Sequence, residues 1–414
     1  MRGVAGEWAG VRKLVLSLDA WGNRESEVYS PATNYEDEIA SVSSALAALM
    51  PGLREIAFDD SPHTPISGAL FGQLAGLYAD QLQVLRSNGQ FIVPQGLVFA
   101  RLRKVKIISY CSVSLEDQLP WLDPEVVESL ALEGLAANEM WSMFCADSGG
   151  CAITFPQLTN LNLSYFQTNR TTSERLSVER PWALQFPVAK HVRISWLGEE
   201  CPSMENAVFP DCLESLDISA CLGALSVFAG RKVHVSQNLS LSVAFKSNAN
   251  NHSIDIANRM LEAADSYNMR KLAISGMHAV PPELISYTGL THLELVGPAN
   301  ADDVMELIRR QRHLVSLWVG SLTLANAQTD FSVPERAEHE PVAPLDTQIR
   351  NLNIIYAGQE VLSKLGTRML KYLLLKIPTL KSVTALFAPS EQILAFIEEY
   401  VQWYPHLANI YFMM

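Results

Sequence analysis

A short apolar pattern, written L-x-x-L-x-L with close substitutes, recurs about fifteen times between Val11 and the last residue, and it constrains the fold more than any other feature. Its last three positions alternate apolar, polar, apolar, as in a β-strand whose successive side chains point to opposite faces. Each copy therefore predicts a short strand with one face in a core. The clearest copies begin at Leu158, Leu213, Leu290, Leu314 and Ile349, weaker ones at Val11, Leu53, Leu102, Val127, Ala189, Met269 and Leu407, and doubtful ones near Leu82, Val233 and Leu380.

Segments with helical periodicity lie between several of these strands. Asn34, Asn300 and Ser390 are suitable N-cap residues for three of the segments. A strand that returns to a parallel neighbour needs a crossover of this kind. The predicted helices cover 36–50, 254–267, 302–312, 359–372 and 391–404.

The spacing of the copies predicts an irregular solenoid. Leu82 and Leu102 lie 20 residues apart, whereas Leu314 and Ile349 lie 35 apart, around the usual leucine-rich repeat length of ~20–29 residues. We expect an α/β fold of the leucine-rich repeat type, a curved horseshoe with a parallel sheet on its concave face and helices or loops on its convex face. An ordinary doubly wound α/β domain is the alternative, but its strands would be continuous apolar runs.

The chain is expected to form one domain over residues 1–414. Apolar residues make up 48% of it, enough for a large core, and a solenoid escapes the size limit that divides globular chains into domains. Three segments lack periodicity and are predicted to be loop insertions. They are 21–35, 167–181 and 325–346.

Charge and cysteine content narrow the class of protein. A net charge of −13 argues against nucleic-acid and anionic-membrane surfaces, which need a basic footprint. No signal peptide or long apolar run is evident, and six cysteines without a CxxC pair are expected to be buried free thiols of an intracellular protein, cytoplasmic or nuclear.

Two strands carry basic residues that either form a local patch or are balanced by nearby acids. These residues are Arg101, Arg103, Lys104 and Lys106 on one strand and Lys190, His191 and Arg193 on another.

Catalytic signals are weak, and no enzyme activity, cofactor or metal is expected. Asp147-Ser148-Gly149-Gly150 resembles the nucleophile segment of trypsin-like proteases, but the histidine context that this family needs is missing upstream. We expect a turn there. The alternative is an α/β enzyme, which requires a closed cleft where histidine and carboxylate converge.

Two segments resemble the leucine-rich repeats of fungal F-box proteins, in which Phe-Pro-x-Leu introduces each strand. They are Phe155-Pro156-Gln157-Leu158 with the strand residues after it and Phe209-Pro210-Asp211-Cys212-Leu213 with the strand after it. The resemblance implies a substrate-recognition role in a cullin ubiquitin ligase, with an N-terminal F-box docking on the ligase adaptor. Only ten residues precede the first predicted strand, so we expect either a fragment whose F-box lies upstream or a repeat scaffold or regulator with no ubiquitin link.

A protein partner is expected on the concave face. In each strand, the residue between the last two apolar positions should line this face. Aromatic residues dominate interface energies, so Trp318 and Tyr411 are the best candidate anchors, with Arg193 next. The predicted binding residues are Lys106, Asn162, Arg193, Asp217, Glu294, Trp318, Asn353 and Tyr411.

Overall fold

The protein is represented by a computed structural model that divides into two compact units, Met1–Pro210 and Asp211–Met414. The single domain expected over 1–414 stays a prediction. The structure describes residues 8, 10–16, 35–59, 65–88, 97–108, 121–133, 153–166, 184–197, 207–219, 233–242, 258–265, 267–275, 284, 286–323, 344–356, 364–386, 394–395, 398 and 409–412.

The first unit contains nine described strands. They are β1 (Lys13–Leu16), β2 (Glu55–Phe58), β3 (Val84–Ser87), β4 (Lys104–Ile108), β5 (Ser129–Glu133), β6 (Ile153–Thr154), β7 (Asn160–Phe166), β8 (Leu184–Gln185) and β9 (His191–Leu197). All but β6 and β8 form one parallel sheet in chain order. The short strands β6 and β8, which the sequence pattern did not predict, pair separately.

The second unit contains eight described strands, all parallel and each beside the next in the chain. They are β10 (Cys212–Ser219), β11 (His234–Ser242), β12 (Lys271–Ser275), β13 (His292–Asn300), β14 (Ser316–Thr323), β15 (Asn351–Tyr356), β16 (Ser382–Leu386) and β17 (Asn409–Phe412). Every copy of the L-x-x-L-x-L pattern, including the three doubtful ones, therefore corresponds to a strand.

Four helices have described bounds: α1 (Tyr35–Leu49), α2 (Pro65–Leu77), α3 (Ala301–Arg310) and α4 (Lys364–Lys376). The prediction for α1 is confirmed. So is that for α3, since the Asn300 side chain accepts a hydrogen bond from the Asp302 backbone N–H at 2.9 Å, which is N-cap geometry. Residues 258–263 are helical within the predicted 254–267. Helix α4 ends four residues beyond the predicted 359–372, and α2 was not predicted.

The strand registers align the apolar positions into buried columns. In the first unit, each residue of the column that runs from β2 to β9 is at most 2% exposed. The second unit repeats this arrangement with leucine at nearly every step. The first column comprises Ile56, Leu85, Val105, Leu130, Leu161 and Val192, and the second Leu216, Leu239, Leu272, Leu293, Leu317, Leu352 and Val383.

One backbone hydrogen-bond motif recurs where the strands begin. The Arg54 carbonyl accepts from the N–H groups of Gln83 at 2.8 Å and Val84 at 3.1 Å. The Thr291 carbonyl does the same for Val315 at 2.8 Å and Ser316 at 3.0 Å. Since buried backbone groups must be paired, this shared carbonyl fixes the register of each new strand on the one before it.

Three phenylalanines of the first unit, which precede β7, β9 and β10 in the chain, form a stacked column. The Phe155 and Phe186 ring centroids lie 5.4 Å apart, and those of Phe186 and Phe209 lie 5.2 Å apart. All three rings are buried. Offset stacking at this distance stabilises aromatic pairs beyond their burial, so the Phe-Pro segments have a packing role.

Several expectations fall outside the described residues. The three predicted insertions lie there except for Tyr35 and residues 344–346. Residues 147–150, most of 391–404 and five of the six cysteines lie there as well. Cys212 corrects the expectation of buried thiols, because it is free and exposed. It immediately precedes the buried Leu213 in β10, and side-chain alternation turns it outward.

Candidate binding surface

The predicted binding residues all lie on one line of outward-facing positions in each unit, which we call the outward row. In the first unit the row passes through Val15, Ala57, Arg86, Lys106, Ala131, Asn162 and Arg193. In the second it passes through Asp217, Ser240, Ala273, Glu294, Trp318, Asn353, Thr384 and Tyr411. Tyr411 is placed by its backbone register alone.

In the first unit, Lys106 and Asn162 converge on Glu133, an acid that the sequence analysis did not single out. The Glu133 carboxylate accepts a hydrogen bond from Asn162 Nδ2 at 2.9 Å and lies 4.0 Å from Lys106 Nζ. Ser164 Oγ donates to Asn162 Oδ1 at 3.0 Å. The side chains in this part of the row are therefore already engaged with one another. Arg193, the next residue of the row, is exposed.

Acids accompany several basic side chains of the first sheet. Arg103 Nη1 lies 3.3 Å from Glu128 Oε1, and Lys13 Nζ lies 2.8 Å from Glu55 Oε1. Arg103 and Lys106 thus follow the second interpretation of the basic strand, in which nearby acids balance its charge. Exposed pairs of this kind stabilise the fold by ~1 kcal/mol or less each.

The second unit presents an exposed aromatic residue in the middle of its row. Trp318 is 36% exposed, and its register neighbours are Glu294 on β13 and Asn353 on β15. Its strand neighbours Leu317 and Val319 are fully buried. Trp318 is therefore held on a strand whose opposite face is fixed in the core.

Two carboxylates occupy the same row, three strands apart. Ser240 and Ala273 occupy the two positions between Asp217 and Glu294, so small side chains separate the two acids. Three strand spacings of about 4.8 Å span the gap at the backbone. Burial raises the pKa of the Glu294 carboxyl, and the charge of Asp217 raises it further. Within the described residues, no cation forms an ion pair with Glu294.

The adjoining row contains a histidine and a lysine. Burial lowers the pKa of the His292 imidazole, and the neighbouring Lys271 ammonium lowers it further. His292 is therefore neutral at neutral pH and does not offset the charge of Glu294. On the other side of the outward row, Ser275 Oγ donates a hydrogen bond to Ser242 Oγ, so hydroxyl groups flank the row there.

Glu294→Gln is expected to stabilise the protein at neutral pH. Because the pKa of Glu294 is higher in the folded than in the unfolded state, the native state loses stability as pH rises from the ordinary carboxyl pKa of about 4.3 through the raised value. Removing the charge restores that stability, by less than about 1 kcal/mol because the carboxyl is partly solvated. Urea unfolding at neutral pH measures it.

The gain from Glu294→Gln should shrink at pH values well below the ordinary carboxyl pKa, where the wild-type side chain is also neutral. Glu262→Gln, at an exposed glutamate outside the sheet, is the matched control and should leave stability unchanged. A Glu294→Gln protein that is less stable than the wild type at neutral pH contradicts this electrostatic account.

Sequence reasoning missed Ser240 and Ala273, which lie between Asp217 and Glu294 in the outward row. The copy near Val233 could not be aligned because the β10–β11 register shifts between Leu213 and Ser215. The row position on β11 was therefore not assigned. Ala273 could have been found, since it lies between the apolar residues Leu272 and Ile274 of a predicted strand.

An enzyme would require a histidine and a carboxylate that converge in a cleft. Among the described residues, the pair of His234 and Asp265 meets this requirement in part. His234 Nε2 lies 3.6 Å from Asp265 Oδ2. The Asp265 carboxylate also accepts hydrogen bonds from the Tyr267 and Asn268 N–H groups and from the Asn268 side chain, which lower its pKa. These bonds hold a turn. Over the described ranges, His, Cys, Asp and Glu do not cluster in threes as a metal site requires.

Among the helices that the structure describes, none has the length and apolar character needed to cross a membrane. Comparison with protein-family models and with curated proteins finds no match to this chain. The similarity to fungal F-box repeats therefore rests on the residues quoted above.

Proposed function

We propose that this chain is a protein-interaction module, built as an irregular leucine-rich repeat solenoid with the parallel sheet on the concave face of a horseshoe. The proposal is supported by the strands of the long sheet, which pair in chain order within each unit, and by the recurrence of one outward position on every strand of that sheet. Such stacking produces an extended surface rather than a closed pocket, and an extended surface suits another protein chain.

The observation that carries the proposal is the exposed Trp318 in the middle of a row of polar and charged side chains. Large aromatic residues are enriched among the few residues that dominate binding energy at interfaces. Its neighbours Glu294 and Asn353 add groups that can form hydrogen bonds. Arg193, exposed in the row of the first unit, is the second candidate anchor because arginine shares this enrichment.

Replacing Trp318 and Arg193 together by alanine should abolish binding of the natural partner and leave the fold intact. The tagged protein is expressed in its native cells, and captured proteins are quantified by mass spectrometry. Tyr267→Ala is the matched control, because Tyr267 is 75% exposed but lies outside the sheet. Partners recovered equally from all three proteins would overturn the assignment of the surface.

We further propose that the partner is a substrate of a cullin ubiquitin ligase, with this chain as the recognition part of an F-box protein. The support is the Phe-Pro-x-Leu segments and the stacked column of Phe155, Phe186 and Phe209. The test captures this chain and the longest product of its own transcript side by side. Adaptor recovered only with the longer product supports the proposal, whereas adaptor recovered with neither favours a repeat scaffold without a ubiquitin link.

A further inference from the structure

We infer that the outward face of β3 and β4 in the first unit binds an acidic segment of a partner protein, whose carboxylates contact Arg86, Lys104 and Lys106. We call these three residues the cationic cluster. The inference rests on the proposed protein-binding function, and it names the chemistry of the partner that meets the first unit.

Strand register and side-chain alternation bring the cationic cluster together. Arg86 on β3 and Lys106 on β4 are direct register neighbours, so their backbones lie about 4.8 Å apart. Lys104 lies two residues before Lys106 on the same face of β4, roughly 6.6 Å away along the strand. Leu85 and Val105 hold the two strands in the core from the opposite face. The three cationic side chains therefore lie on one side of the sheet.

The position of the cluster is costly for the unbound protein. Like charges directly opposite one another on neighbouring strands destabilise a sheet, and Arg86 and Lys106 are such a pair. Ala57 on β2 and Ala131 on β5 flank them in the outward row and carry no charge. The Arg86 and Lys106 side chains are 54% and 45% exposed. An anionic group that binds between them would relieve the repulsion.

The acid beside Arg86 compensates its charge only in part. Glu55 Oε1 lies 2.8 Å from Lys13 Nζ but 3.8 Å from Arg86 Nη2. Because electrostatic attraction falls with distance, the Glu55 carboxylate is engaged mainly with Lys13. Much of the charge of the Arg86 guanidinium group is therefore left for a partner.

The other side of the cluster shows the same arrangement. Glu133 accepts its hydrogen bond from Asn162 at 2.9 Å and lies 4.0 Å from Lys106 Nζ, so its contact with Lys106 is an ion pair without a hydrogen bond. Lys104 is exposed, and within the described residues it forms no ion pair. The cluster therefore keeps positive charge on a chain whose net charge is −13.

Spacing and surroundings select a short acidic segment as the occupant. Alternate side chains of an extended chain lie roughly 6.6 Å apart on one face, which is the separation of Lys104 and Lys106. Acidic residues at every second position can therefore meet both lysines. Glu55 and Glu133 border the cluster, so the positive region is too small for nucleic acid, which needs a basic surface along its whole backbone.

The test uses a fluorescein-labelled peptide in which glutamate alternates with serine, and fluorescence anisotropy measures its affinity for the full chain. The acidic protein repels this peptide at long range, and about 0.15 M salt screens that repulsion, so saturable binding reports a local site. We expect the Arg86→Gln/Lys106→Gln double variant to weaken binding roughly tenfold or more. Lys104→Gln alone should weaken it about threefold.

The matched control is the Arg312→Gln/Lys381→Gln double variant, which removes one arginine and one lysine charge from exposed positions of the second unit. It should change the affinity less than about twofold. The same peptide with glutamine in place of glutamate should not bind. Far-UV circular dichroism of every variant should match that of the wild type, because the replaced side chains lie outside the core.

Equal affinities of the two double variants would overturn the inference, because binding would then follow net charge and not the cluster. Equal binding of the glutamine peptide, or no saturable binding of the glutamate peptide, would overturn it as well. Binding only of a peptide with phosphoserine in place of glutamate would overturn the assignment to carboxylates.

Partner capture from native cells separates this inference from the proposed function. If the peptide results fail but capture still depends on Trp318 and Arg193, the protein-binding proposal stands without the acidic segment. If capture is independent of those two residues as well, both proposals fail.

Discussion

Gly289→Ala is expected to destabilise the second unit by about 3 kcal/mol, near the upper end for a substitution that overpacks a core. A Cβ atom at this position would lie 2.2 Å from the Tyr267 carbonyl oxygen and 3.0 Å from that of Met269. Both obstacles belong to the main chain, so a change of side-chain rotamer cannot relieve the clash. The two backbone segments would have to separate just before the strand that begins at His292.

Gly10→Ala is the matched control, because a Cβ at Gly10 meets no atom within 4 Å. Urea unfolding followed by circular dichroism compares the two variants with the wild type. A free energy of unfolding that is unchanged in Gly289→Ala would mean that Gly289 and Tyr267 do not approach as closely as the structure has them.

The strands were predictable because the core imposes the same requirement on every repeat. Leu272 and Ile274 must both face inward for β12 to pack against β11 and β13, so the intervening Ala273 must face outward. The prediction needs only local alternation and holds even for the weak copies. The outward row follows from it directly.

The helices were less predictable, and the reason is local composition. Helix α3 combines an asparagine cap, acids in its first turn and arginines in its last, all of which favour a helix in isolation. Helix α2 contains three glycines and no acid in its first turn, so packing rather than propensity stabilises it. Packing is not visible in one sequence.

The chemistry of the surface was also hidden from the sequence, since it depends on neighbours distant in the chain. Asp217 and Glu294 are 77 positions apart in the printed sequence, and they act on one another only because β10 to β13 lie in order. The register between β13 and β14 also shifts, at a bulge between Leu295 and Pro298. Beyond that bulge, counting residues along the two strands no longer shows which of them are neighbours. The sequence identified Glu294 as an outward residue but not as one with a raised pKa.

The adjacent residues Leu317 and Trp318 are expected to respond in opposite ways to replacement by alanine. Leu317 is fully buried between Leu293 and Leu352. Leu317→Ala should therefore cost about 3 kcal/mol, because removing a buried leucine leaves a cavity. Trp318 is outward and partly exposed, so Trp318→Ala should cost less than about 1 kcal/mol while removing the proposed binding anchor.

Urea unfolding measures the stability of both variants, and amide hydrogen exchange shows where protection is lost. Because each repeat contacts mainly its neighbours, Leu317→Ala should weaken protection first on β13, β14 and β15 and less on β10. Trp318→Ala should leave all four strands protected. A larger loss of stability for Trp318→Ala than for Leu317→Ala would mean that the two faces of β14 are exchanged, and the outward row, with every binding residue assigned to it, would then lie in the core.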